Sequence, residues 1–431
     1  MNIDKDVVRR RATRVAAVIA GSAVVTATLT GCGFVNTESS DEGSTTLTVA
    51  LSTEEAAGLT ELISAFETES GITVEVTSAA TADLNQQLSV QLSSGTAPDV
   101  FRVSPGSSSA IGASLLGSAG ELVALTDRDW ADTVPDSSKT LGGSGDELYA
   151  LPLSQNEIVM AYNKDVFSNL GIDVPTTWTE FLDVCATLKE AGITPISAGF
   201  TGGVYLQFVI YALAASNVYA VNPDIDEEQA GSATAFSSSP EWREVFTKFE
   251  SLQTAGYFTD GANGVAGDQA VQAVADGTAG MISVVSASLA TMESATSGAG
   301  IGVFALPGTD DASQTLLPVA PDFIAVNAEA ENKENALEFL DFLAEPDNAK
   351  AYATAIASLP GLSVDAEIPS QLDDVADLLT GGLTAPFANY TWPNGDTQQT
   401  LLQSGQDLIA GNITVDELLT QLDAQFAKGT S

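Results

Sequence analysis

The sequence predicts an α/β protein, and three observations carry that expectation. From Leu47 onward, short apolar runs alternate with segments of helical spacing. The first five of these segments form a βαβαβ unit, which implies a parallel sheet with helices on both faces. Finally, 44% of the 431 residues are hydrophobic, enough for two ordinary domain cores.

The elements follow in chain order. Leu47-Thr-Val-Ala-Leu51 reads as a buried strand. Leu59, Leu62, Ile63 and Phe66 then recur at helical spacing, with Thr53 as N-cap and Gly71 as stop. Ile72, Val74 and Val76 alternate as a strand, and Leu84, Leu88 and Leu92 mark a second helix that stops at Gly95. Pro98 to Val103 is the third strand. Further on, Ile158 to Tyr162 reads as a strand and Trp178 to Glu190 as a helix opened by Thr176 or Thr177. Ile193 to Ile196 is a strand, Tyr205 to Ala215 an apolar helix and Trp242 to Leu252 an amphipathic one. Met281 to Val285, Ile301 to Leu306 and Phe323 to Val326 read as strands. Ala336 to Leu343, Ala349 to Ile356 and Val415 to Phe426 are helical. No internal repeat and no low-complexity linker interrupts this body.

The first residues carry an address. Lys5, Arg9, Arg10, Arg11 and Arg14 form a basic region, and a charge-free apolar stretch runs from Val15 to Leu29. That is short for a membrane span but suits an export signal. It ends in Leu29-Thr30-Gly31-Cys32, a lipobox-like sequence in which Cys32 offers the thiol that takes a diacylglycerol. Residues 1–31 are therefore expected to be a lipoprotein signal peptide, and residues 32–46, polar and without apolar period, a lipid-anchored flexible tether.

Composition excludes much else. The chain has 15 Lys+Arg against 57 Asp+Glu, a formal net charge of −42, with no histidine and only Cys32 and Cys185 as cysteines. Histidine-dependent triads, HExxH sites and His or Cys zinc centres are out of reach. Nucleic acid is excluded as a partner, because phosphate binding runs on clustered Lys and Arg. Cys185, on the apolar face of its helix, reads as a buried structural thiol. Asn222-x-Asp224-x-Asp226 opens like a calcium loop, but Glu227 stands where the glycine belongs and Ala233 at position 12, so no metal is expected. No cofactor is expected either, and the absence of a GxxxxGK[ST] motif means the chain supplies no energy of its own.

A set of short motifs in fixed order carries a resemblance. They include Ala97-Pro98-Asp99-Val100-Phe101, Tyr149-Ala-Leu-Pro152 and Tyr162-Asn163-Lys164-Asp165-Val166-Phe167. Pro175-Thr-Thr-Trp178-Thr-Glu-Phe181, Gly277-Thr-Ala-Gly280-Met281 and Leu306-Pro307-Gly308 follow. Lys333-Glu-Asn-Ala-Leu-Glu-Phe339-Leu340 and Ala410-Gly-Asn-Ile-Thr414-Val-Asp-Glu417 complete the set. From about Leu47 to the end, the chain resembles the extracellular solute-binding proteins of bacterial ABC importers, in the carbohydrate family that includes maltose-binding protein. The resemblance implies a type II fold of two α/β lobes, each discontinuous in sequence, with the ligand cleft between them. Lobe 1 is expected to comprise residues 47–154 plus 307–345, and lobe 2 residues 157–303 plus 347–428. The chain then crosses near Ser154 to Glu157, near Val303 to Leu306 and near Ala344 to Pro346.

Contacts in such lobes sit at the carboxyl ends of strands. After the first strand come Ser52 and Glu54, the latter either a hydroxyl acceptor or a first-turn acid favoured by the helix dipole. After the third come Ser104 and Ser107, either ligand contacts or helix caps. Phe200, Thr201 and Tyr205 follow the strand that ends at Ala198. Tyr205 and Trp392 are the preferred stacking aromatics, each with a place in the core as the alternative. Asp322 is either a holder of paired hydroxyls or a turn cap. The resemblance adds Asn156, an amide where the maltose binder has an acid, Asn85 on the second helix, and Ser286, where relatives often carry a stacking Trp. Arg102, Arg128 and Arg243 are the only arginines after the signal segment, which favours an uncharged ligand. Arg102 faces either the cleft or solvent.

The expectation is a non-enzymatic, monomeric receptor on the outer face of the cytoplasmic membrane, held by lipid on Cys32. It binds a neutral saccharide and docks on an ABC permease with a separate ATPase. A secreted glycoside hydrolase and a receptor for a cationic ligand such as a polyamine are the alternatives.

Overall fold

One long mixed sheet carries the fold; its inner strands are buried on both faces, while the Thr73–Ala79 edge strand is largely exposed. The computed structural model describes residues 46–430, apart from Gly231, Ala299 and Ala357. The signal segment, Cys32 and nearly all of the tether lie outside the described residues. Thr46–Ser52 pairs in parallel with Thr73–Ala79 on one side and Val100–Val103 on the other. Alternation decides which way each side chain goes. Val49 and Val100 join a core with Leu59, Phe66, Phe339 and Tyr352, while Ala50 and Phe101 join Leu84, Leu88 and Phe323 on the opposite face.

The Thr53–Ser70 helix opens directly from the first strand. Its N-cap is Ser52, one residue before the expected Thr53, because Glu55 completes a capping box with Ser52. Gly71 ends the helix in the left-handed region at φ 75°. The Trp178–Glu190 and Val415–Phe426 helices match the apolar spacing to the residue, capped by Thr177 and Thr414. The apolar helix runs Val204–Ala214, and every residue from Leu206 to Ala214 is buried. Cys185 is buried, as its position implied, and burial pushes its thiol well up.

Two strands join the lobes. Leu151–Asn163 has 13 residues, longer than the Ile158 to Tyr162 run that periodicity marks. Its first half pairs antiparallel with Leu317–Val326, and its second half with Ala279–Val285 and Ile301–Phe304. Ile158 and Met160 pack into a core with Phe181, Phe200, Trp242 and Phe426, while Val159 and Ala161 pack with Ile282, Ile301 and Leu372. The sheet thus has one pair of cores around its N-terminal strands and another pair around the rest.

Core membership changes along the chain. Leu151 and Leu153 pack with Val49 and Phe339, whereas Ile158 and Met160 pack with Phe181 and Trp242. Val303, Leu306, Leu317 and Ala320 stay with the cores of Phe181 and Ile282, and Phe323 and Ile324 join those of Phe101 and Phe339. Ala349, Tyr352 and Leu362 pack with Phe339, and Leu372 with Ile282. Short apolar runs cannot reveal this, because the same alternation continues from one core to the next.

Candidate functional site

Where the two passage strands run side by side, the register slips between Asp322 and Phe323. A bulge re-aims side chains, and its extra residue here is Leu153, between the Asp322–Ser154 and Phe323–Pro152 pairs. The slip leaves Asp322 facing the Leu151–Asn163 strand, where Asn156 Nδ2 donates to it at 2.6 Å and Ser154 Oγ at 3.1 Å. Its other oxygen receives Arg102 Nη2 at 3.3 Å.

Arg102 is the hub of this network. It projects from the Val100–Val103 strand, flanked by Phe101 and Val103 on the opposite face. Its Nε donates to Glu55 at 2.9 Å and its Nη1 to Asn85 at 3.4 Å. Glu55 also accepts the Ser52 backbone N–H at 2.7 Å, so one carboxylate caps the helix and holds the guanidinium. Burial works against the charge on Arg102, but Glu55 and Asp322 outweigh it and hold the pKa above the ordinary arginine value. Burial raises the Glu55 carboxyl, and Arg102 opposes that rise.

Above the network lies a cavity of about 760 Å³ whose wall draws on both lobes. The first lobe contributes Ser52, Glu54, Thr81 and Tyr352 beside Arg102. The passage strands contribute Asn156, Pro321 and Asp322, and the second lobe Gln207, Phe208, Phe387, Asn389, Tyr390 and Gln398. Phe387 and Tyr390 stack at 5.9 Å with their planes 7° apart, and Tyr390 packs against cores of both lobes. Glu54 is exposed on the first turn of its helix. The wall carries three carboxyl side chains, one guanidinium and no lysine.

Ser52, Glu54, Asn156 and Asp322 line this cavity, and Asn85 stands behind it as a partner of Arg102. The other candidates sit elsewhere. Trp392, chosen for stacking, is fully buried among Tyr211, Phe236 and Trp242; the turn before it sends Tyr390 to the cavity and Trp392 to the core. Tyr205 lies edge-on to Phe208 at 5.6 Å, and its ring covers Gly267, where an added Cβ would meet it at 2.1 Å. Phe200 is core, edge-on to Phe258 at 5.3 Å. Thr201 is exposed and donates to the Asn263 carbonyl at 3.2 Å. Ser104 is buried in a backbone bridge to Gly112, and Ser107 is exposed away from the cavity wall. Ser286 accepts the Glu157 N–H at 3.1 Å within the fold.

Glu55 was within reach of sequence reasoning, since Ser52-Thr-Glu-Glu55 is a capping-box pattern. Phe208, Phe387, Asn389 and Tyr390 were not, because nothing local separates a wall aromatic from a core one.

The profile of the bacterial extracellular solute-binding protein family matches residues 50–350. A multiple sugar-binding protein from Streptococcus mutans is 24% identical over 292 residues, covering 67% of this chain and 68% of the relative. The sn-glycerol-3-phosphate-binding periplasmic protein UgpB of Escherichia coli K12 is 24% identical over 220 residues, about half of each chain (49%). Among solved structures, RafE in complex with raffinose superposes with a TM-score of 0.74 at 20% identity, over 90% of this chain and 100% of that one. A sugar transporter of Bacillus licheniformis in complex with stachyose gives 0.70 at 19%, over 89% and 100%. These likenesses establish a shared two-lobed type II fold.

Proposed function

The chain belongs to the bacterial extracellular solute-binding proteins, and from that premise we propose that it captures an uncharged mono- or oligosaccharide between its lobes and hands it intact to an ABC permease driven by a separate ATPase. One observation carries the choice of ligand. The single guanidinium on the cavity wall is already held by two carboxylates, while Glu54, Asn156 and Asn389 line the cavity beside aromatic rings. Hydroxyls find acceptors and donors there, and a pyranose face finds Tyr390 and Phe387. A phosphate needs an unclaimed cation, so the ligand in the name of the UgpB relatives does not suit this wall, whereas those in the raffinose and stachyose complexes do.

The lobes in this reading are residues 47–153 with 323–364, and residues 158–320 with 368–426, following the cores. Cys32 carries the lipid, and residues 32–46 tether the receptor to the outer face of the membrane.

The excess of carboxyl groups on the wall also favours a second reading, a cationic ligand such as a polyamine. Calorimetry against raffinose, stachyose, chitin oligosaccharides, galactose, sn-glycerol 3-phosphate and spermidine separates the two. A neutral saccharide is expected to bind in the micromolar range, about −8 kcal/mol, and to be recovered uncleaved. Binding of spermidine or sn-glycerol 3-phosphate alone, or release of a cleavage product, would overturn the proposal.

A further inference from the structure

Asp226 is a buried acid that forms no ion pair among the described residues. It is 7% exposed and lies on the short Ile225–Glu228 helix. The neighbouring Asn222 and Asp224 do not join it: Asn222 bonds to Glu228 at 2.7 Å and accepts the Asp224 N–H at 3.2 Å. Asp226 turns inward instead, and one of its oxygens accepts the Tyr219 hydroxyl at 2.7 Å and the Thr391 hydroxyl. Burial holds its pKa up at about 6, with Thr391 and Tyr219 pulling it down. A buried carboxyl is costly unless hydrogen bonds offset its lost hydration, and those bonds also fix their donors.

What it fixes is the Ala388–Thr391 turn. Among the described residues no side chain caps the start of that turn, and its side-chain bonding is that of the Thr391 hydroxyl, whose one proton is shared between Asp226 and the Ala388 carbonyl at 2.8 Å. The turn bears Asn389 and Tyr390, both on the cavity wall. Its outer side has no slack, since a Cβ added at Gly106 of the opposite lobe would stand 2.1 Å from the Tyr390 carbonyl oxygen.

We propose that Asp226 is a positioning residue of the ligand cavity: through Thr391 it holds Asn389 and Tyr390 in place from inside the second lobe. This rests on the cavity being the ligand site. Three full-length variants test it: Asp226→Asn, Thr391→Val, which keeps the shape and loses the hydroxyl, and Thr391→Ser, which keeps the hydroxyl. The probe is whichever neutral sugar of the panel binds the parent protein. Affinity is expected to fall about tenfold in Asp226→Asn and Thr391→Val and to be retained in Thr391→Ser. Amide hydrogen exchange supplies a readout that needs no ligand. The Tyr390 N–H, bonded to the Phe387 carbonyl at 3.0 Å, is expected to exchange about tenfold faster in the first two variants, while the amides of the Trp178–Glu190 helix keep parental exchange. If no sugar binds the parent protein but exchange accelerates as described, the ligand proposal fails and the tether stands. Parental affinity and parental exchange in both Asp226→Asn and Thr391→Val would overturn the tether.

Discussion

Two residues on the passage strands show how adjacent positions take opposite roles. Asn156 faces the cavity. Glu157, its neighbour, turns the other way and is fully buried, and among the described residues neither carboxyl oxygen has a hydrogen bond within normal distance. Burial pushes its pKa up to about 7, from an ordinary value of 4.5. A raised folded pKa means that the protonated form favours folding. Its contribution is complete below about pH 4.5 and is lost as pH rises through 7. Glu157→Gln mimics the protonated acid. It is expected to leave stability unchanged at pH 4 and to raise it by about 3 kcal/mol at pH 8, read by urea unfolding at both values. The aromatics divide in the same way. Trp392→Ala is expected to cost about 3–5 kcal/mol of stability, because its ring is enclosed by other rings. Tyr390→Ala is expected to weaken sugar binding about tenfold and spare the fold. Denaturation and calorimetry on the pair check the division.

At the scale of elements, the Gly395–Ile409 helix is capped by Asn394, whose side chain accepts the Thr397 N–H at 3.0 Å. Alanine at the first helical position is intrinsically better than glycine, by up to about 1 kcal/mol. Yet a Cβ at Gly395 would stand 2.6 Å from the Ser108 carbonyl oxygen, which belongs to the other lobe. Gly395→Ala is therefore expected to keep the unfolding midpoint, since its own lobe gains, and to lower sugar affinity about tenfold, since the lobes no longer meet as closely. Equal affinity in calorimetry would show that this contact plays no part in holding ligand. The helices were the most legible elements for a related reason. Trp178–Glu190 and Val415–Phe426 have a cap, a full apolar stripe and a boundary, all local. The Leu151–Asn163 strand was read at only five of its residues, because polar Ser154, Gln155, Asn156 and Glu157 interrupt its apolar run where it crosses between lobes.

Across the whole molecule, charge dominates. A formal net charge of −42 makes the folded state repel itself. Exposed ion pairs such as Arg243–Asp416 and Lys164–Asp374 offset little of this. Salt shortens the screening length from about 30 Å at 0.01 M to about 3 Å at 1 M. The unfolding midpoint is therefore expected to rise by a few degrees over that range, measured by scanning calorimetry in sodium chloride; a falling midpoint would contradict the repulsion argument.

By itself the sequence determined the α/β class, the caps and apolar faces of the main helices, and the end of the first strand, from which Ser52 and Glu54 reach the cavity. All of these depend on residues near one another in the chain, where periodicity and capping chemistry act directly. Only the tertiary structure decided where the chain recrosses between lobes, which aromatics line the cavity and which fill the core, and that Arg102 is clamped between Glu55 and Asp322, 47 and 220 residues away. Those outcomes depend on which surfaces meet when two lobes pack, and an apolar ring or a charged side chain carries no local mark of the partner it will face.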